Sequence, residues 1–414
     1  MKPELLSPAG NREKLEAAIR YGADAVYMAG EAFGMRAAAG NFSLSELKDA
    51  VRYAHMKGVR AYIAVNTMPR EHEYPYLREY LTSLREITPD ALIVADLGVF
   101  MMAKELLPEI ELHVSTQANT VSAQACRAWH SLGAKRVVLA RELSLEEIKA
   151  IRAQIPDSLE LEAFVHGAMC ISYSGRCLLS NFFTGRDGNR GACAQPCRWN
   201  YKAVRFEIEE EKRPDLPLSM LQEGGETFIM SSRDTCMIEH IPELMESGIN
   251  SFKIEGRMKS AYYAAVTANT YRMAIDAYLT QKPYLYNPSW MRELTSVSHR
   301  EYGTGYYFDD AKQNANTASD TGYIRDKAYL ATVLSYDENT GEALCIQKNK
   351  MLAGTWAELL TPGKIGVPFI CQELWDAEHR CIDATPHPYM KFYIKMPFAV
   401  KEGDIIRGAE GEKI

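Results

Sequence analysis

Long apolar runs are absent from this chain of 414 residues. The longest candidate, Ala91 to Ala103, is interrupted by Asp96 and is too short to cross a bilayer. The opening stretch, Met1-Lys-Pro-Glu-Leu-Leu-Ser-Pro, lacks the apolar centre of a secretory signal, so a cytoplasmic protein is expected. A strong positive charge is missing too. The formal net charge is −7, which argues against a protein that coats nucleic acid uniformly. Several catalytic signatures are absent: no His-Glu-x-x-His zinc-protease helix, no Gly-x-Ser-x-Gly elbow and no Gly-x4-Gly-Lys-Ser/Thr phosphate loop. No Gly-x-Gly-x-x-Gly follows the first strand, so a dinucleotide fold has no support. There is no internal repeat and no low-complexity segment.

What is present is an ordinary globular composition, 47% apolar and 24% charged, with one uneven feature. Five of the nine cysteines, Cys170, Cys177, Cys193, Cys197 and Cys236, fall within 67 residues. In a reducing compartment such clustering reads as metal binding or catalysis rather than as disulfides. The intervals, C-x6-C, x15, C-x3-C, x38, C, are not those of a zinc ribbon. They suit ligands converging from a barrel rim and an inserted loop. Four thiolates satisfy a structural zinc or a [4Fe–4S] cluster. Cys170, Cys177, Cys193 and Cys236 are the favoured set, with Cys197 as the alternate. Buried free thiols are the plainer explanation, and it is the one accepted for the scattered cysteines. The same region is locally basic: from Ala163 to Arg205 six Lys and Arg stand against one acid, a net +5. A solvated loop face explains that charge, and so does an anionic substrate or RNA.

The first two-thirds of the chain alternates strand-like apolar runs with helical patterns. The runs are Glu4–Ala9, Ala25–Gly30, Arg60–Asn66, Ala91–Asp96, Glu111–Thr116, Arg136–Glu142, Leu159–Gly167 and Ser251–Gly256, with Phe228–Ser231 a further short candidate. Helices are expected over Asn11–Tyr21, Ser45–Lys57 and Leu143–Gln154, with Asn11 and Ser45 as N-caps and Ser144 with Glu147 as a capping box. Eight strands in βαβ spacing predict a TIM-like (β/α)8 barrel over residues 1–325. A doubly wound open sheet is the alternative. The Cys-rich stretch, about 168–226, reads as an insertion on the catalytic face. From residue 326 to 414 short strands separated by turns predict a small C-terminal β-barrel, with Asp337–Gly341 as a hairpin connection.

Polar residues at barrel strand ends are candidates because that face builds active sites: Asn66, Asp96, Gln117, Arg141, Glu142 and His166. His166, four residues before Cys170, could orient a substrate or relay a proton. His113, mid-strand, reads as a packing residue. Lys253 and Glu255 alternate onto one strand face, and an interior position would require their charges to be paired. Arg257 could clamp a carboxylate or phosphate through its planar fork. Arg36, after the second strand, could reach the same mouth. His299 and Arg300 are either substrate contacts or fasteners between domains.

The stretch Glu162-Ala-Phe-Val-His-Gly-Ala-Met-Cys170, followed by Cys177 and Ser180, resembles the signature of the U32 family, long labelled peptidases. Glu4–Gly10, the Arg36 loop, Asn189–Arg198, Phe252–Arg257, and His299-Arg300 with Thr304-Gly305 also look like blocks of that family. The two-domain form is similar to the bacterial branch associated with hydroxylation of the tRNA wobble uridine. That resemblance implies a [4Fe–4S] cluster on Cys170, Cys177, Cys193 and Cys236, with zinc as the alternative metal. It also implies prephenate as a small anionic co-substrate and oxygen source, and the tRNA anticodon loop as partner. From their own positions in the strand pattern, His166, Lys253 and Glu255 are the catalytic candidates, and Arg36, Arg257, His299 and Arg300 the substrate-binding candidates. Association with a second copy or a related U32 chain is compatible with the resemblance. The family label equally implies collagenase-like proteolysis. A third class is a non-catalytic, metal-bearing assembly factor.

Overall fold

A computed structural model describes residues 2–35, 40–170, 172, 175–177, 179–199, 221–223, 226–228, 232–308 and 324–409. Short apolar strands alternate with amphipathic helices: β1 (Glu4–Pro8), α1 (Arg12–Arg20), β2 (Ala25–Met28), α2 (Leu44–Met56), β3 (Arg60–Val65), α3 (Tyr74–Leu84), β4 (Ala91–Val94) and α4 (Leu97–Leu106). The series continues with β5 (Glu111–Val114), α5 (Ala123–Leu132), β6 (Arg136–Val138), α6 (Leu145–Arg152) and β7 (Glu160–Ala168). Side-chain caps set the helix starts. Asn11 accepts from the Lys14 N–H at 3.0 Å, and Ser144 and Glu147 form the expected capping box. The start of α2 differs from expectation: its cap is Ser43, boxed with Glu46, and Ser45 lies inside the helix. Both serines precede the helical pattern, but only Ser43 has a Glu three residues on.

After β7 come α7 (Leu179–Thr184), a β8–β9 hairpin (Leu221–Glu223, Glu226–Phe228), β10 (Asp234–Cys236), α8 (Ile241–Glu246), β11 (Ser251–Ile254), α9 (Ala261–Thr280), α10 (Ser289–Thr295) and β12 (Tyr302–Gly303). Strands β1 to β7 pair in order, all parallel, and β11 closes the ring by pairing with both β7 and β1. Among the described residues this is an eight-stranded parallel barrel, as the strand spacing predicts. An unforeseen strand, β10, adds antiparallel to the overlong β7, and β12 adds to β10. Gly167 lets β7 lie close against the end of β11 and α9. Its φ is +107°, and a Cβ there would lie 2.4 Å from the Glu255 carbonyl oxygen and 2.9 Å from the Tyr263 hydroxyl.

The C-terminal domain contains β13 (Tyr329–Asp337), β14 (Glu342–Gln347), β15 (Trp356–Leu360), β16 (Val367–Ile370), β17 (Leu374–Asp376), β18 (Lys391–Lys395) and β19 (Ile405–Gly408). They form one antiparallel sheet in the order β16-β15-β19-β13-β14-β18-β17, a half-barrel over its own apolar core. A buried charged seam joins it to the barrel. The Arg407 guanidinium binds Glu293 at 2.7 Å and Glu358 at 2.8 Å, and Lys327 binds Glu358 at 2.7 Å. Among the described residues no helix is long and apolar enough to cross a membrane.

Candidate active site

The C-terminal ends of the barrel strands enclose a cavity of about 70 Å³, lined chiefly by Tyr27, Asn66, Gln117, Arg141, Phe164, Lys253 on β11, and Glu255 and Arg257 just past its end. Strand alternation turns Phe164 on β7 and Lys253 on β11 inward, and the segments leaving the strand ends bring Asn66, Gln117, Arg141, Glu255 and Arg257 to the same mouth. Lys253 and Glu255 both reach the cavity, as expected. The ion pair of Lys253, however, is with Glu162 on the neighbouring strand, Nζ to Oε1 2.6 Å. A register shift between Lys253 and Ile254 accompanies the change of partner. Burial lowers the affinity of the Lys253 ammonium for its proton, opposed by Glu162. Burial alone would raise the Glu162 carboxyl, but Lys253 and Arg136 outweigh it, so the net shift is downward and the carboxylate is ionised. Glu255 accepts from the Tyr27 hydroxyl at 3.0 Å. Burial first, then the Glu255 charge, raise the Tyr27 phenol well above its ordinary value, so that it acts as a donor.

Arg141 lies across the Phe164 ring, 3.8 Å from guanidinium carbon to centroid, and donates to the Ala168 carbonyl at 2.8 Å. Its Nε has no partner among the described residues. Arg257 is buried and donates to the Met35 carbonyl. Arg36 lies outside the described residues. Asn66 donates to the Ser115 hydroxyl at 3.3 Å and accepts from the Met35 N–H at 3.1 Å, which braces the rim. Asp96 instead caps α4, accepting from the Val99 N–H at 3.0 Å, and Glu142 does not line the cavity.

His166 sits on β7 beside a smaller cleft shared with Arg141, Glu255 and Tyr307. Its ring packs among Tyr263, Tyr271 and Tyr302 at centroid distances of 5.9, 5.5 and 5.3 Å. Burial pushes its pKa down to about 3, so the imidazole is neutral at physiological pH. Nδ1 is 3.5 Å from the Tyr271 hydroxyl, and Nε2 has no partner among the described residues. This group can orient a substrate by hydrogen bonding, but it is a poor proton donor. His113 is buried edge-on against Tyr62 at 4.9 Å, the packing role expected of it.

The two remaining candidates are internal fasteners in this structure. Arg300 is buried and holds Asp234 at 2.8 Å, and it donates to the Met169 carbonyl at 3.1 Å. His299 stacks on Tyr302 at 4.3 Å and pairs with the Arg300 carbonyl at 2.7 Å. Together they tie β10 and the segment leading to β12 against the end of β7.

All five clustered cysteines are described, and their environments differ. Cys170 is exposed; Cys177, Cys193 and Cys197 are half-buried; Cys236 is buried. Cys236 pairs across the ladder with His166, and Cys170 follows two residues after the end of β7. Burial pushes the Cys236 thiol up to about 12, with the Tyr271 hydroxyl 4.0 Å from its sulfur. Among the described residues no three His, Cys, Asp or Glu side chains stand together as a metal site. A metal would have to draw Cys236 from its core contacts and deprotonate it.

The profile of Peptidase family U32 matches residues 10–317, and that of the Peptidase family U32 C-terminal domain matches residues 325–407. The chain belongs to the U32 family. The tRNA hydroxylation protein P1 of Bacillus subtilis is 34% identical over 98% of this chain and 94% of its own length. The tRNA hydroxylation protein P of Escherichia coli is 34% identical over 96% of this chain and 94% of its own. A Porphyromonas gingivalis relative named collagenase is 32% identical over 82% of each chain.

Tyr27, Phe164 and Glu162 went unnoticed as site residues in the sequence. Period-two alternation on β2 and β7 is the signal that could have found them, because it places all three on the interior face with Lys253.

Proposed function

We propose that this U32 protein is a tRNA-modifying enzyme that hydroxylates uridine 34 at carbon 5 without molecular oxygen. The observation that carries the reading is its similarity, across both domains, to relatives named tRNA hydroxylation proteins. The mouth supports it chemically. Arg141 and Arg257 face a small polar cavity whose lysine is already paired with Glu162, so the two guanidinium groups are suited to a small anionic co-substrate. Prephenate, as oxygen donor, is the co-substrate of the proposal. Uridine 34 is unpaired in the anticodon loop and can be splayed toward the mouth without melting a duplex. In this proposal Glu255 and Tyr27 hold the co-substrate's polar groups, His166 hydrogen-bonds as a neutral imidazole, and the protein acts in the cytoplasm.

A [4Fe–4S] cluster on Cys170, Cys177, Cys193 and Cys236, with Cys197 as alternate, is part of the proposal. Its support is the density of thiols on the segment that leaves β7 and the pairing of β10 with that strand. Such a cluster would supply redox or Lewis-acid chemistry. The test is anaerobic purification with iron, sulfide and zinc analysis of wild type and Cys177→Ala, alongside nucleoside analysis of tRNA from deletion cells. About four irons and four sulfides per chain, lost in the variant, together with loss of 5-hydroxyuridine in the deletion, are the expected results. Stoichiometric zinc would replace the cluster with a structural metal. Peptide cleavage abolished by Cys170→Ala, with unchanged tRNA, would favour the peptidase reading that the P. gingivalis name suggests.

A further inference from the structure

The Cys-bearing segment carries three aromatic rings that the core does not account for. Phe182 is 82% exposed, Phe183 50% and Trp199 39%. Phe182 and Phe183 meet edge-on at 5.3 Å, and Phe183 lies 6.3 Å from Trp199. The cluster is held in shape from beneath. The Trp199 Nε1 donates to the Ala194 carbonyl at 3.1 Å, and the Ser180 hydroxyl on α7 accepts from the Ala194 N–H at 2.9 Å. Single exposed aromatics are common, but a contiguous group of three marks an interaction surface.

Its charge setting narrows the choice of partner. Arg176 and Arg186 are exposed on the same segment, within the stretch of local net +5; the Arg186 Nε donates to the Ala192 carbonyl at 3.0 Å, whereas the charge of Arg190 is taken up by Glu73 at 2.6 Å. Aromatic residues and arginine occur at protein–protein interfaces too, but a one-signed excess of cations around exposed aromatic faces is the arrangement that holds single-stranded nucleic acid. The location also fits. Gly175, at φ +73°, packs so closely on the β5–α5 connection that a Cβ would lie 2.6 Å from the Gln117 carbonyl oxygen. Gln117 lines the mouth cavity, and the Arg190–Glu73 pair ties the segment to the approach to α3. The rings therefore stand on a segment pinned beside the mouth.

We propose that Phe182, Phe183 and Trp199 form a stacking platform for unpaired RNA bases next to the target nucleotide, with Arg176 and Arg186 on the adjoining phosphates. This deepens the RNA-modifying reading and rests on it. Stacking tolerates any base, so the platform supplies affinity and orientation, while selection of the uridine is left to the mouth.

The test is fluorescence anisotropy of the full chain with a labelled anticodon stem-loop RNA, using a fully paired duplex of equal length as control. Phe182→Ala, Phe183→Ala and Trp199→Ala are each expected to weaken stem-loop binding about tenfold, with Phe182→Tyr near wild type. Arg186→Gln should lower the slope of log affinity against log salt by about one. Circular dichroism should be unchanged in Phe182→Ala, whose ring lies almost wholly in solvent. Wild-type binding that all three alanine variants retain would overturn the platform and leave the RNA reading standing. Failure of wild type to bind the stem-loop at low salt would overturn both. Variants that alter oligomeric state by light scattering, but not RNA affinity, would assign the rings to a protein contact and overturn the platform.

Discussion

The barrel holds charge at its floor and at its mouth, and the two ends treat it differently. At the floor, where strands begin, Arg136 is enclosed by Glu4 at 2.5 Å, Glu160 at 2.6 Å and Glu162 at 3.1 Å, and the Tyr62 hydroxyl donates to Glu4 at 2.6 Å. Each charge there is matched by a partner on a neighbouring or facing strand. At the mouth, Arg141 keeps one face on Phe164 and has an Nε without a described partner, beside a cavity large enough only for a small group. Buried charge is tolerated only when paired. The floor network satisfies that rule and serves folding. The mouth leaves hydrogen-bonding capacity open toward a ligand, and this is where a functional charge is expected.

Substitutions separate the two roles. Glu162→Ala should have the largest effect on stability, because it takes from the buried Lys253 ammonium its ion-pair partner and from Arg136 one of three carboxylates. We expect a loss of about 4 kcal/mol by urea denaturation. Arg407→Met applies the same logic to the domain seam, with a loss of about 3 kcal/mol and separation of the barrel and half-barrel transitions in calorimetry. Glu4 gives the pH signature of the floor. Burial works to raise its carboxyl, but Arg136 and Tyr62 bring the pKa down to about 2 from 4.5. A depressed carboxyl contributes stability that is fully present above pH 4.5 and is lost as the pH falls toward 2. The contribution is about 3 kcal/mol at neutral pH, and Glu4→Gln should flatten the slope of stability in that window. Arg141→Gln should have the smallest effect on stability, within about 1 kcal/mol, since its guanidinium is only partly buried. Its effect on tRNA modification should nevertheless be tenfold or more if it holds the co-substrate. A floor variant that retained full stability, or an Arg141 variant that unfolded, would erase the contrast.

The contrast was only partly legible in the sequence. All eight barrel strands could be placed, because each is an apolar run of strand length, the early ones separated by helical stretches. The β10 strand could not, since Asp234-Thr-Cys236 is three residues long without apolar alternation. In the half-barrel the runs Tyr329–Tyr336, Ala343–Lys348, Phe369–Gln372, Met390–Met396 and Asp404–Arg407 read as strands in the sequence, whereas Trp356–Leu360 and Leu374–Asp376 do not. That Lys253 must be paired followed from burial, but its partner, Glu162, lies 91 residues away and is chosen by strand register. Arg300 was seen as a candidate contact, yet its role as the clamp on Asp234 depends on β10, the strand that went unrecognised. The aromatic cluster was not legible either: Phe182-Phe183 and Trp199 are separated in sequence, and only the folded segment brings them together and shows that they are exposed.

The most direct test of the central claim is nucleoside mass spectrometry of tRNA from deletion cells grown without oxygen and complemented with wild type, Arg141→Gln or nothing. We predict 5-hydroxyuridine with wild type, none without the protein, and a tenfold or greater reduction with Arg141→Gln at equal protein level. Unchanged 5-hydroxyuridine in the deletion cells would contradict the assignment of this barrel to RNA hydroxylation.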